Sequence, residues 1–486
     1  MNLIAKIEKL TLAYGILGVS IFAYILLRAL KLDITYDEAR TIKDFVPLNY
    51  INIINCSSSD ANNHILNTLL IKIFYSFGSN TIFFARLPNV LAFILYLFYS
   101  YKIAKEFLSD FAGFMLFALL LINPFLLDFY SIARGYGLGL SFQIMSIYYF
   151  ILLVRNKQLK LVVLTLVSGA FAVLSNLSEL NYWVPLLFSV VLAYVLNNNS
   201  RNKPTFWLFL FLITSLFALI IYEPIRKLHQ NGDLYYGGNS NFYADTLISL
   251  TKYTRYTPET SSITYVILNT FIMLFVTRVC VLLIISIKNN VSFTAGNSLI
   301  VLLTLAVLST ISQHYLFGTL YLIDRTALFY YPLIMLVLCY SYDLMLESLN
   351  KVVPMLILAL FGYNFLTNAN MYKTALWYFD SHTTSILHQI NETGQLENRK
   401  ITIDFSWPFQ KAMYFYTEQG LYPFITIVKS KTDREEINEK ADYFIYLGKS
   451  LEKVGYDSDK QHIINYKKDT AFYFKNEAVY VFSDIR

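Results

Sequence analysis

Charge is what this sequence has least of. Charged residues make up 15% of its 486 positions, against about 25% in an ordinary soluble chain, so a water-soluble globule of this length is excluded. Cysteine is almost missing. Of the three, Cys280 and Cys339 lie inside apolar runs and Cys56 stands alone in a polar segment, which excludes a secreted scaffold built on disulfides and says little about redox compartment. Proline and glycine, at 11 and 18 residues, are too few for a collagen-like chain. No internal repeat is visible, and apolar content this high excludes intrinsic disorder.

What is present is apolar and aromatic surface: 56% hydrophobic and 17% aromatic residues, with a mean hydropathy of +0.47. Runs of about 20 apolar residues suffice to cross a hydrocarbon core, and such runs recur from Leu10 to Asn370. They predict about eleven transmembrane helices: Leu10–Ala29, Phe83–Ala104, Phe111–Leu127, Tyr136–Val154, Leu159–Ser175, Trp183–Leu196, Phe206–Ile221, Ile263–Ile287, Leu299–Leu316, Ala327–Leu346 and Val352–Thr367. The first run is long for the apolar region of a signal peptide and no small-residue cleavage site follows it.

The net charge of +6 does not point to nucleic acid. The tail from Met371 is balanced in charge, and the excess lies in short loops between spans. Lys6 and Lys9, Lys102 and Lys105, Arg155, Lys157 and Lys160, Arg201 and Lys203, Lys288 and Lys351 fall in one set of alternate loops. The positive-inside rule makes that set cytoplasmic. The opposite face, outside the cytoplasmic membrane, then receives the loop 31–80, the short loops near Asp128, Glu179 and Arg325, the segment Glu223–Ser262 and the tail. Arg28 and Lys31 run against the rule, and snorkelling to the interface accommodates them.

The tail reads as a small α/β domain, residues 371–486, following a membrane domain of residues 1–370. Lys400–Phe405, Phe424–Val428, Tyr443–Leu447, Ala471–Phe474 and Ala478–Phe482 have strand character, with helical patterns at Phe409–Thr417 and Asp433–Lys440 and a turn at Lys475–Glu477. The loop 31–80 is long enough to be functional and carries two helix-like pieces, near Asp37–Phe45 and Asn63–Tyr75, the second amphipathic and suited to a membrane interface.

Candidate chemistry gathers near the ends of the spans. Asp37 and Glu38 offer a carboxylate that can serve as general base toward a hydroxyl; the alternative is an acidic helix start favoured by the dipole. Asp60 and His64 open the second loop helix and can hold a divalent cation with Asp37 or Glu38, or they cap the helix and hydrogen-bond at the interface. Arg86, Arg134 and Arg325 stand at span mouths where the positive-inside rule disfavours them. Such charges mark a site by default, and guanidinium forks match phosphate; snorkelling is the alternative for each. Asp324 and Asp128 can pair with Arg325 and Arg134. Glu179 reads as solvated; the loop Glu223–Ser262 can form an acceptor-binding lid or a flexible surface segment, and His229, Tyr235 and Tyr236 within it are not taken as site residues.

The order of these pieces resembles the GT-C membrane glycosyltransferases. An Asp37-Glu38 pair after the first span, a His64-containing amphipathic helix, Arg86-Leu87-Pro88 and Asn123-Pro124 followed by Ala133-Arg134-Gly135-Tyr136 are similar, over the first 150 residues or so, to the protein O-mannosyltransferases and the lipid A aminoarabinose transferases. Tyr321–Ala327, running into Tyr331-Pro332, resembles their late arginine motif. Ile65 and Leu66 replace the prolines that often follow the histidine. The resemblance implies an inverting transferase using a polyprenyl-phosphate sugar donor outside a bacterial cytoplasmic membrane, with a lipid, glycan or protein acceptor. Asp37 would be the catalytic carboxylate with Glu38 beside it, and Arg134 and Arg325, with Arg86, the donor-phosphate contacts. His64, Tyr136 and Asp60 stand as candidates for touching substrate. No cofactor is required, with a divalent cation as the alternative; a flippase of lipid-linked sugars, for which Arg278 would supply a mid-span charge, is the rival function.

Overall fold

The computed structural model describes residues 2–78, 81–197, 204–256, 294–343, 351–428, 441–447 and 479–483, with isolated positions between 262 and 281. The predicted span Ile263–Ile287 and Arg278 therefore lie largely or wholly outside the described residues, as do Asp433–Lys440, Ala471–Phe474 and Lys475–Glu477. The described chain forms two compact units, one of Met1–Leu30 with Phe45–Asn370 and one of Lys31–Asp44 with Met371–Arg486. Residues 31–44, expected with the membrane domain, group by their contacts with the tail.

The first unit is almost entirely helical. Among the described residues six helices are long and apolar enough to cross a membrane, Lys9–Lys31, Ile82–Phe107, Gly135–Asn156, Leu177–Val195, Pro204–Gln230 and Ala295–Phe317. Leu159–Ser175 and Val352–Asn368 are apolar but shorter. Their outward positions carry large apolar side chains such as Val19, Phe211, Leu219 and Leu360, each more than half exposed, as expected of surface that meets lipid rather than water.

The predicted continuous span Phe111–Leu127 is broken. Asp110–Leu121 and Pro124–Ser131 meet at a bend of 58°. The reason is local: Pro124 brings no amide to continue the ladder, and Asn123 caps the new helix by accepting from the amides of Phe125 and Leu126 at 3.0 and 3.3 Å. The buried second half carries Asp128, whose carboxylate pairs with Arg28. Both side chains are almost fully buried, and Arg28 also donates to the carbonyl of Asn370 at 2.7 Å, so the arginine that ran against the positive-inside rule is a paired internal charge.

The second unit holds a four-stranded sheet in the order β2-β1-β3-β4, where β1 is Ile401–Phe405, β2 Ile425–Ile427, β3 Tyr443–Leu447 and β4 Val479–Ser483. β1 runs parallel to β2 and β3, while β3 and β4 are antiparallel. The helix Gln410–Glu418 crosses between β1 and β2, as parallel neighbours require. It and Thr383–Leu396 bury Met413, Phe415, Ile386, Leu387 and Ile390.

Candidate active site

In the first unit the site begins with a ladder of amide side chains, each buried. Asn89 donates to Asn67 Oδ1 at 2.9 Å and accepts from the Leu138 amide at 3.2 Å, and Asn67 donates to the Ala133 carbonyl at 3.3 Å. Three elements, Ile65–Phe77, Ile82–Phe107 and the start of Gly135–Asn156, are thereby fixed around the corner that presents Arg134. Gln143, two turns further along, donates to the Phe329 carbonyl at 2.8 Å and ties the same helix to the corner that presents Arg325. Gly135 is required by close approach: a Cβ there would collide with the Ser175 carbonyl and the His64 side chain.

His64, Arg134, Tyr136 and Arg325 come together on this frame. Arg134 is fully buried and donates to the Asn62 carbonyl at 3.1 Å and to Asn62 Oδ1 at 2.9 Å. Asp60 shapes that loop by accepting from the Asn62 amide at 2.9 Å, so its described role is to present Asn62 and not to cap the helix. Arg325 Nε donates to the Tyr136 hydroxyl at 3.1 Å, and the His64 and Tyr136 rings meet edge to face at 4.9 Å. Burial, then the Arg134 and Arg325 cations, lower the pKa of His64 well below its ordinary value, which keeps the imidazole neutral. Its Nε2 is buried and has no hydrogen-bond partner among the described residues; the first helical residue is Ile65, and Asn63 turns away to donate to the Ile53 carbonyl.

The sequence reading missed Tyr236. Its ring lies under the Arg325 guanidinium at 4.3 Å, and its hydroxyl accepts from Arg325 Nη1 at 3.1 Å while donating to the Asp324 carboxylate. Asp324 sits at a positive φ of 38°, a conformation costing about 1–3 kcal/mol that persists where surroundings impose it. Here the Ser249 hydroxyl accepts from its amide at 2.7 Å. The loop's richness in tyrosine was the only signal in the sequence. Glu179 was also misread: it is 1% exposed, on a short 3-10 turn against Gly139, one helical turn beyond Gly135.

Arg86 is buried, and its described hydrogen bond goes to the Ala29 carbonyl at 3.1 Å, at the end of the first long helix. Among the described residues no group of three or more His, Cys, Asp or Glu side chains is arranged to hold a metal ion.

Asp37 and Glu38 belong to the second unit, on the helix Tyr36–Arg40. Thr35 and Glu38 form a reciprocal capping box: the Glu38 carboxylate accepts from the Thr35 amide at 3.0 Å and hydroxyl at 3.1 Å, and Thr35 Oγ1 accepts from the Glu38 amide at 3.3 Å. Glu38 is thus committed to holding the helix start. Asp37, 5% exposed, projects from the same first turn, and its carbonyl accepts from the Thr41 hydroxyl at 2.8 Å.

Residues 64–224 match the dolichyl-phosphate-mannose-protein mannosyltransferase family. No match to a curated protein was found. Two solved structures are similar across 98% of this chain and 98% of theirs: ArnT from Cupriavidus metallidurans in the apo state, at 10% identity and a TM-score of 0.49, and the same protein bound to undecaprenyl phosphate, at 11% and 0.46.

Proposed function

We propose that this chain, similar over residues 64–224 to a family of membrane mannosyltransferases, is an inverting glycosyltransferase. It moves a sugar from a polyprenyl-phosphate donor to a cell-envelope acceptor on the outer face of a bacterial cytoplasmic membrane. The observation that carries the reading is the convergence of Arg134 and Arg325, from corners far apart in sequence, on one buried neutral histidine flanked by Tyr136. Two guanidinium groups on a rigid amide-locked frame suit a leaving phosphate, whose charge grows in the transition state. Placement at helix starts suits a lipid-borne donor.

In this reading Asp37 accepts the proton of the acceptor hydroxyl. The oxygen attacks the anomeric carbon from the face opposite the phosphate, the carbon–oxygen bond to the phosphate breaks, and the electron pair leaves with the polyprenyl phosphate. Arg134 and Arg325 stabilise that dianion. Glu38 holds the helix that carries the base, His64 and Tyr136 contact the sugar or phosphate as neutral donors, and Asp60 sets the loop that steadies Arg134. The chemistry requires no cofactor.

The test is transfer itself. The purified full chain in detergent, given a panel of polyprenyl-phosphate sugars and a crude envelope acceptor fraction, should move at least one sugar, read by mass spectrometry. Donor binding without transfer across several acceptor fractions would favour a flippase of lipid-linked sugars instead.

A further inference from the structure

The short helix carrying Asp37 begins with amides that have no partner within it. Glu38 donates its amide to Thr35 Oγ1. The amide of Tyr36, one residue before Asp37, is satisfied from 344 residues away: it donates to Asp380 Oδ2 at 2.7 Å. Asp380 lies on the 3-10 helix Tyr378–His382 of the tail, in the same compact unit. The neighbouring residues are tied to the tail as well. Asp33 accepts from the amide and hydroxyl of Thr384 at 3.0 and 2.7 Å, and the Ile34 amide donates to the Tyr416 hydroxyl at 2.9 Å. The Tyr36 ring meets Trp407 edge to face at 5.9 Å.

Asp380 is the unusual member of this clasp. It is 1% exposed, and its Oδ1 is buried with no hydrogen-bond partner among the described residues. The groups acting on its charge are the Tyr36 amide and the carboxylates of Asp33, Asp37 and Glu38. Burial, opposed only by the hydrogen bond from that amide and reinforced by the three carboxylates, raises its pKa well above the ordinary range. Its Oδ2 is the acceptor that caps the helix. A fourth negative charge buried there would repel Asp37.

Resting on the reading of Asp37 as the base, we propose that Asp380 is a positioning residue for the transfer reaction: by capping the Tyr36 amide, the tail fixes the first turn from which Asp37 projects. The tail domain is then part of the catalytic apparatus.

The test compares Asp380→Ala and Asp380→Asn in the full chain in detergent, with the polyprenyl-phosphate sugar that the wild type turns over. Asparagine keeps a neutral oxygen to accept from Tyr36, whereas alanine removes it. Alanine should lower kcat about 10- to 100-fold, the scale of a misplaced catalytic group, with KM for the donor within about twofold of wild type. Asparagine should restore kcat to within about threefold. Hydrogen exchange of the peptide containing Tyr36–Arg40 should quicken in the alanine variant and return to wild type in the asparagine variant, with exchange elsewhere unchanged. Wild-type kcat in the alanine variant would overturn the proposal, as would equal loss in both variants. Absence of transfer by the wild type would count against the glycosyltransferase reading alone. The exchange arm would still decide the clasp, since unchanged exchange at Tyr36–Arg40 in the alanine variant would refute it.

Discussion

The arginine corner of the first unit and the acidic helix of the second solve opposite electrostatic problems by different routes. The corner gathers two cations, Arg134 and Arg325, around His64, on an amide ladder in which every described bond joins neutral groups. The acidic helix gathers Asp33, Asp37, Glu38 and Asp380 and controls them by capping bonds and a raised carboxyl pKa at Asp380. The lesson is that charge of one sign is tolerated inside when each group has a geometric task, a loop to grip or an amide to cap. Arg28 and Asp128 show the ordinary alternative, a buried ion pair.

That contrast yields graded expectations. Asp128→Asn should have the largest effect on stability, about 3–5 kcal/mol, because it leaves the Arg28 charge buried without its carboxylate. Thermal unfolding in detergent reads this, and a double variant replacing both residues by apolar ones should recover most of the loss. Arg325→Ala should leave stability nearer wild type but lower transfer about 10² to 10³-fold, the usual cost of one transition-state donor, measured with saturating acceptor. A smaller effect follows from His64. Its folded pKa lies below the unfolded value near 6.5, so below that pH the unfolded chain binds a proton that the folded chain refuses. Stability should fall with pH by at most about 1.4 kcal/mol per unit below 6.5, and His64→Gln should flatten that slope in a pH series of unfolding curves.

The two regions also differ in how far they could be read in advance. Arg134 and Arg325 stand at breaks in hydropathy, where a charge is conspicuous, and Asp37-Glu38 follows the first span in the same way. The helix near Asn63–Tyr75 and the strands at Lys400–Phe405, Phe424–Val428 and Tyr443–Leu447 were visible as periodicity and appear within a residue or two. What escaped has no local signature. Asp380 acts on Tyr36 across 344 positions, Tyr236 reaches Arg325 from a loop without pattern, and Glu179 looks like any short polar turn until the helices close over it. The break at Asn123-Pro124 was legible in principle, since a cap followed by proline is a helix start; apolar continuity on both sides concealed it.

The central claim is a division of labour, in which Asp37 works on the acceptor and the arginine corner on the donor phosphate. The most direct measurement determines donor affinity and single-turnover transfer separately for Asp37→Asn and Arg325→Ala, using one polyprenyl-phosphate sugar. Asp37→Asn should bind the donor as wild type does and lose transfer by about 10² to 10⁴-fold, while Arg325→Ala should lose both affinity and rate. Full transfer by Asp37→Asn, or unchanged affinity and rate in Arg325→Ala, would contradict the account.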